Sequence, residues 1–100
     1  MQRIPESKRA ALLAALRRFP QLELTIRRMI GTDRNFCDMC EELADAEAAL
    51  SSVDQLPPHI RAARRAEWQE LLERLTREID VALQEKQAFE RSRPDRDPPC

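Results

Sequence analysis

The sequence has few of the residues that tight turns and sheets require. It holds one glycine, Gly31, no tyrosine and four aromatic side chains. A sheet protein of 100 residues would need more glycine in its turns and more β-branched residues in its strands. A glycine-rich phosphate-binding loop is excluded for the same reason. Alanine, leucine, glutamate and arginine dominate instead, and this composition predicts an all-α protein.

Long apolar runs are missing as well. The longest, AALLAAL at residues 10–16, lies between two arginines and is far too short to span a bilayer. We therefore expect no membrane span and no signal peptide. Three cysteines in a chain without a secretion signal predict free thiols in a reducing compartment, and hence a cytoplasmic location.

Charge is distributed unevenly, although the formal net charge is only −1. Residues 1–35 carry eight basic and three acidic side chains, whereas residues 36–60 carry six acidic side chains and no lysine or arginine. The basic N-terminal third could bind nucleic acid or an anionic surface. An acidic central helix between basic neighbours explains the same pattern without a ligand. We prefer this second interpretation because no nucleic-acid motif accompanies the arginines.

Apolar spacing and proline positions predict one helical domain over residues 1–90, with helices at about residues 6–18, 20–30, 33–53 and 58–90. Residues 91–100 are rich in proline and charge, so we expect a disordered tail there.

The sequence also predicts helix caps and the buried side of the first helix. Gly31 is expected to cap the end of the second helix, and Thr32 or Asp33 the start of the third. In the first helix, the predicted buried side carries Leu12, Leu13, Leu16 and Phe19.

The third and fourth helices both carry apolar residues at heptad spacing, which is typical of packed helices. Folding the chain back about residues 54–57, so that facing residue numbers add to about 111, brings Leu43 against Trp68. This predicts an antiparallel, coiled-coil-like helical hairpin, with the additional short N-terminal helix across its open end or against a second subunit. The same register brings Asp45, Glu47 and Asp54 near Arg61, Arg64 and Arg65. The expected core or interface residues are Leu22, Ile26, Met29, Phe36, Met39, Leu43, Leu50, Trp68, Leu72, Leu75, Ile79 and Phe89.

The segment FPQLELTIRRMIGTDRNFCDMCEEL, residues 19–43, resembles the opening of the YdcH-like family of small bacterial helical proteins. A weaker similarity reaches residue 83, where LTREI lacks the lysine and aspartate of the family stretch. Leu43 also replaces the family's tyrosine. The resemblance implies a self-associating helical hairpin and no established activity. The positions that align with the family pattern are Phe19-Pro20, Ile26, Met29, Asp33, Phe36, Met39 and Glu42-Leu43.

The spacing of Cys37 and Cys40 raises the question of a metal or redox site. A structural zinc site needs four ligands, and His59 and Cys100 are the only other histidine and cysteine. His59 is expected at the turn and Cys100 on the tail, so we expect no metal site. Reactive pairs of this spacing open a helix after a strand, and no strand is predicted. We interpret both cysteines as small packing or surface residues, with Cys40 the more buried.

His59 is the one possible histidine base, and no nucleophile accompanies it, so we expect no catalytic activity and no cofactor. A hairpin of this size buries little core alone. We therefore predict a homo-oligomer, most simply a dimer, that acts as a protein-interaction or adaptor module for an unknown partner. Two alternatives stay open: an anion binder using the basic N-terminal third, and a metal or thiol sensor using Cys37 and Cys40.

Overall fold

The computed structural model describes residues 6–92. No strand occurs in that part of the chain, which confirms the all-α class. Its helix α4 is the longest element, about 51 Å at the standard rise of an α-helix. The elements in chain order are α1 (Glu6–Arg18), a 3₁₀ turn at Pro20–Leu22, α2 (Glu23–Thr32), α3 (Arg34–Ser51), a second 3₁₀ turn at Val53–Gln55 and α4 (Pro58–Arg91).

The corner between α2 and α3 is made by Asp33. Its extended backbone ends α2, and its carboxylate accepts a hydrogen bond of 3.0 Å from the backbone N–H of Phe36, which caps α3. Of the two predicted caps, Asp33 is therefore the one used. The predicted cap at Gly31 is wrong, because Gly31 lies inside α2 and does not have a positive φ.

Helix α4 begins at a proline and continues farther toward the C-terminus than expected. Pro58 occupies its first position, where a missing N–H costs no hydrogen bond. At its other end α4 continues to Arg91, so this residue is helical and not part of a disordered tail. The rest of the predicted tail, residues 93–100, lies outside the described residues. No helix within residues 6–92 combines the length and hydropathy needed to cross a bilayer.

Helix α3 is the central helix, and it packs against both α1 and α4. Arg17 and Arg18 at the end of α1 bind Glu47 of α3 at 2.8 and 3.0 Å. Lys8 at the start of α1 lies close enough to Cys37 to lower the pKa of its thiol. Helix α1 therefore runs in the same direction as α3 and lies along it. The expected position of the first helix, across an open end, is wrong for the single chain.

The buried face of α1 is made mainly of alanine. Ala11, Ala14 and Ala15 are fully buried beside Leu12, whereas Leu13 is 46% exposed. Small side chains allow α1 to approach its neighbours closely. The leucine pattern therefore predicted this face only in part, because it gave weight to side-chain size and none to close packing.

The core contains apolar side chains only, since no polar or charged residue within residues 6–92 is buried. Leu22, Met39, Leu50 and Trp68 are half-buried against it. Phe89 is 62% exposed, so it is not a core residue of the single chain. The predicted core residues that are buried are Ile26, Met29, Phe36, Leu43, Leu72, Leu75 and Ile79. Ile30, Ala46, Val53 and Leu83 are buried as well.

Two ion pairs join α4 to the preceding elements. Asp54 binds Arg65 at 2.8 Å, and Arg28 binds Glu90 at 3.0 Å. The first pair is one of the contacts expected from the predicted register. The residue numbers of the second pair add to 118, seven more than the predicted 111, and this pair involves α2, which the corner at Asp33 separates from α3. Between α3 and α4, the 3₁₀ turn with buried Val53 continues the chain beyond the end of α3.

Candidate functional site

Both cysteines of the predicted pair are buried free thiols. Cys40 has no exposed surface and Cys37 is 7% exposed, so Cys40 is the more buried, as expected. They belong to the same apolar cluster as the alanine face of α1. Their small side chains suit a face on which two helices approach closely.

A groove of about 340 Å³ lies beside Cys37, where the start of α1 meets the corner between α2 and α3. The thiol of Cys37 donates a long hydrogen bond of 3.9 Å to Oε2 of Glu41. The charged side chains that line the groove include both signs, so it has no strong preference for a cation or an anion. These residues are Lys8, Asp33, Arg34, Asp38 and Glu41.

The surroundings of the two thiols oppose ionisation. Burial, and then the Glu41 carboxylate, raise the pKa of the Cys37 thiol, and Lys8 opposes them in part. Burial raises the pKa of the Cys40 thiol to about 12, with smaller contributions from Cys37 and Glu41. Because the thiolate is the form that attacks disulfides and binds metals, both cysteines are poorly suited to redox or ligand chemistry at neutral pH.

The structure does not bring the three metal-ligand candidates together. His59 is exposed in the first turn of α4, beside the connection from α3. About 16 Å of helix separates Cys40 from the end of α3 at Ser51. Within residues 6–92, no group of three or more histidine, cysteine, aspartate or glutamate side chains is placed to hold a metal ion. Cys100 lies outside the described residues.

Several arginines of the basic N-terminal third bind carboxylates of the same chain. Arg17 and Arg18 share Glu47, as described above, and Arg27 binds Glu23 of its own helix at 2.9 Å. Glu47 was expected to face Arg61, Arg64 and Arg65, so its position beside α1 corrects that prediction. Of the predicted pairs, the contact of Asp54 with Arg65 is present. Ion pairs within the chain therefore neutralise much of the positive charge that an anion binder would need.

Large apolar side chains are exposed on three of the helices. They are Leu13 on α1, Leu24 on α2, and Val81 and Phe89 on α4. Nζ of Lys86 lies 6.0 Å from the ring centroid of Phe89, at the outer limit of a cation–π contact. The sequence pattern placed Phe89 among the core or interface residues, facing Leu22, and did not single out Val81.

A second seam runs along α4 on the side away from its buried residues. Its members are spaced alternately by four and three residues, which keeps them on one face of the helix. All are exposed. A search for apolar periodicity misses this seam because its centre is charged. We call it the outward seam of α4; it consists of Ala63, Glu67, Glu70, Arg74, Arg77 and Val81.

Comparison with known proteins gave no match: no family model fits the chain, and no curated protein and no solved structure is significantly similar to it. The functional argument therefore depends on the helices, their exposed faces and their charges.

Proposed function

We propose that this chain is a small self-associating protein-interaction module of the cytoplasm, without catalytic activity. It presents helical faces to a second copy of itself and to a protein partner whose identity is open. The exposure of Phe89 and Val81 on α4 carries this proposal, because both large apolar side chains stay exposed while another face of the same helix packs against α3. Exposed aromatic side chains are enriched where proteins bind one another.

In this proposal, α3 and α4 form an antiparallel hairpin, and the short helix α1 lies beside α3. Only residues 52–57 connect α3 and α4, and such short connections join antiparallel neighbours. The contact of Asp54 with Arg65 lies near the connection, and that of Arg28 with Glu90 lies near the far end of α4. Both contacts support the hairpin.

We also propose that the chain is a YdcH-like protein. The positions that carry the resemblance have packing and capping roles here: Asp33 caps α3, and Ile26, Met29 and Phe36 are buried. These roles agree with a pattern that encodes a hairpin and no chemistry.

The thiols and the histidine support a role without catalysis. A thiol whose pKa is about 12, as for Cys40, is protonated at neutral pH and is a poor nucleophile. His59 is solvated at the start of α4 and lies outside the groove beside Cys37. For the same reasons a metal or thiol sensor is the weaker alternative.

Sedimentation velocity over a concentration series tests self-association. We expect a species of twice the chain mass of 11.6 kDa to grow with concentration and to dominate at about 100 µM, as for a micromolar dimer. A species that stays at the mass of one chain throughout the series would contradict the proposal.

A further inference from the structure

The outward seam of α4 has a charge pattern that is complementary to itself. In chain order it reads apolar, acidic, acidic, basic, basic, apolar, from Ala63 to Val81. Read backwards from Val81 to Ala63, the pattern has a base at each place where the forward pattern has an acid, and an acid at each place where it has a base. Both ends are apolar in either direction. A second α4 laid antiparallel on the first therefore meets opposite charges along the seam.

We propose that a second copy of this chain docks on the outward seam, with the two α4 helices antiparallel about a two-fold axis. This inference depends on the proposed function, since it names the face through which the module self-associates. Facing residues have numbers that add to 144, so the axis crosses the seam between Glu70 and Arg74, at the height of residue 72. Glu67 then faces Arg77 of the partner subunit, and Glu70 faces Arg74 of the partner subunit.

Two-fold symmetry forms each of these contacts twice, which gives four opposite-charge contacts across the interface. It also places Ala63 against Val81 of the partner subunit at both ends of the charged centre. A parallel arrangement would place Glu67 against glutamate and Arg74 against arginine. Charge therefore selects the antiparallel arrangement and disfavours the parallel one.

The seam is free to accept another helix within the described part of the chain. Leu72, Leu75, Ile79 and Leu83 form the buried side of α4, and the outward seam lies on the other side. Docking thus leaves the core of each subunit unchanged. From Ala63 to Val81 the contact extends about 27 Å at the standard helical rise.

Only some of the charged side chains of the seam form ion pairs within their own chain. Arg64 binds Glu67 at 2.8 Å, and Arg74 lies 3.8 Å from Glu78, both at exposed positions. Glu70 and Arg77 form no ion pair with residues 6–92 of their own chain. These two side chains gain the most from a partner that supplies opposite charge.

Two shallow grooves lie along the outward seam. The first is lined by Arg74, Arg77, Glu78 and Val81, and the second by Glu67, Glu70, Leu71, Glu73, Arg74 and Arg77. Because the contact is short and largely charged, we expect a weak dimer that dissociates further as salt is added.

Charge reversal tests the arrangement. Arg74→Glu places four glutamates at the paired positions 70 and 74 of the dimer, and Glu70→Arg places four arginines there. Either change alone should weaken dimerisation at least about tenfold, because attraction at two contacts becomes repulsion. An equimolar mixture of the two variants should form a heterodimer with its charge pairs restored. The double variant, Glu70→Arg with Arg74→Glu, should dimerise like the original chain.

Matched controls separate this face from general effects of charge. Asp45→Arg changes an exposed carboxylate of α3, and Arg27→Glu changes an exposed arginine of α2. Both should dimerise normally, and circular dichroism should show unchanged helicity for every variant. If Arg74→Glu and Glu70→Arg dimerise like the original chain, or if their mixture gains nothing, the seam is not the interface and another face carries self-association. A monomeric original chain would instead overturn the proposed function and this surface together.

Discussion

Arg28 of α2 donates a hydrogen bond of 3.0 Å to Glu90 in the last turns of α4. This contact joins residues 62 positions apart in the sequence, and it fixes how far α4 extends beside α2. The contact of Asp54 with Arg65, which the predicted register also contains, lies toward the other end of α4. Phe89, the residue before Glu90, stays exposed.

The contact of Arg28 with Glu90 should be energetically modest. We expect a double-mutant cycle of Arg28→Ala and Glu90→Ala to give a coupling of about 0.2–1 kcal/mol, because both side chains are partly solvated. Urea unfolding of the four proteins measures it. The matched cycle of Arg27→Ala with Glu90→Ala should give no coupling, since Arg27 binds Glu23. Equal coupling in both cycles would show that α2 and α4 are in a different register.

Leu43 should be among the most important side chains for stability, because it is fully buried in α3. We expect Leu43→Ala to lower the free energy of unfolding by about 2–5 kcal/mol. Leu13→Ala makes the same chemical change at an exposed position of α1 and should change it by less than about 0.5 kcal/mol. Chemical denaturation compares the two, and similar losses would contradict the assignment of the core.

The alanine face of α1 should not tolerate larger side chains. Ala14 is fully buried, so Ala14→Leu should force α1 away from its neighbours and cost about 1–3 kcal/mol of unfolding free energy. Ala10→Leu adds the same atoms at an exposed position of the helix and should have little effect. Thermal unfolding followed by circular dichroism measures both variants. If Ala14→Leu is the more stable of the two, α1 does not pack closely through this face.

Asp33 should stabilise α3 as its N-terminal cap. We expect Asp33→Ala to lower the unfolding free energy by about 0.5–2 kcal/mol, because the N–H of Phe36 loses its acceptor. Asp33→Asn retains an oxygen acceptor and should lose much less. Comparison of the two variants in urea isolates the cap, and equal losses would indicate that Asp33 acts by another route.

Stability should fall at high pH because of the buried thiols. The folded-state pKa of Cys40, about 12, lies above its ordinary value of 9.0, so its contribution is complete below pH 9 and is lost as pH rises toward 12. The slope should reach at most about 1.4 kcal/mol per pH unit. Burial raises the pKa of Cys37 as well, in the same direction.

Unfolding free energies between about pH 8 and pH 11 measure this effect, because an ordinary thiol ionises within this range. The chain has no tyrosine to complicate the titration. Cys40→Ala should flatten much of the slope while keeping the helices. An unchanged slope in the variant with both Cys37→Ala and Cys40→Ala would show that other groups cause the loss.

The parts of the fold that follow from local chemistry could be predicted from sequence. The side-chain oxygen of Asp33 at a helix start, and the proline that opens α4, act on their immediate neighbours. The position of Glu90 beside Arg28 of α2 could not be predicted in this way. A heptad seam is apolar after every shift of seven residues, and the corner at Asp33 separates α2 from α3.

The candidate surfaces were harder to predict than the helices. The burial of Cys37 depends on α1 lying along α3, which is a tertiary contact that the spacing of leucines does not reveal. The outward seam of α4 has a charged centre from Glu67 to Arg77, so apolar patterning does not detect it. A search for charge patterns that match their own reverse could have found it in the sequence.

A native mass spectrum of protein purified without chelator tests the central claim most directly. The claim is that the chain self-associates through helical faces and that Cys37 and Cys40 are packing residues. It predicts a dimer of twice 11.6 kDa with no added metal mass. A monomer at every concentration would contradict self-association. An excess mass of zinc or iron that a chelator removes would contradict the assignment of the two cysteines.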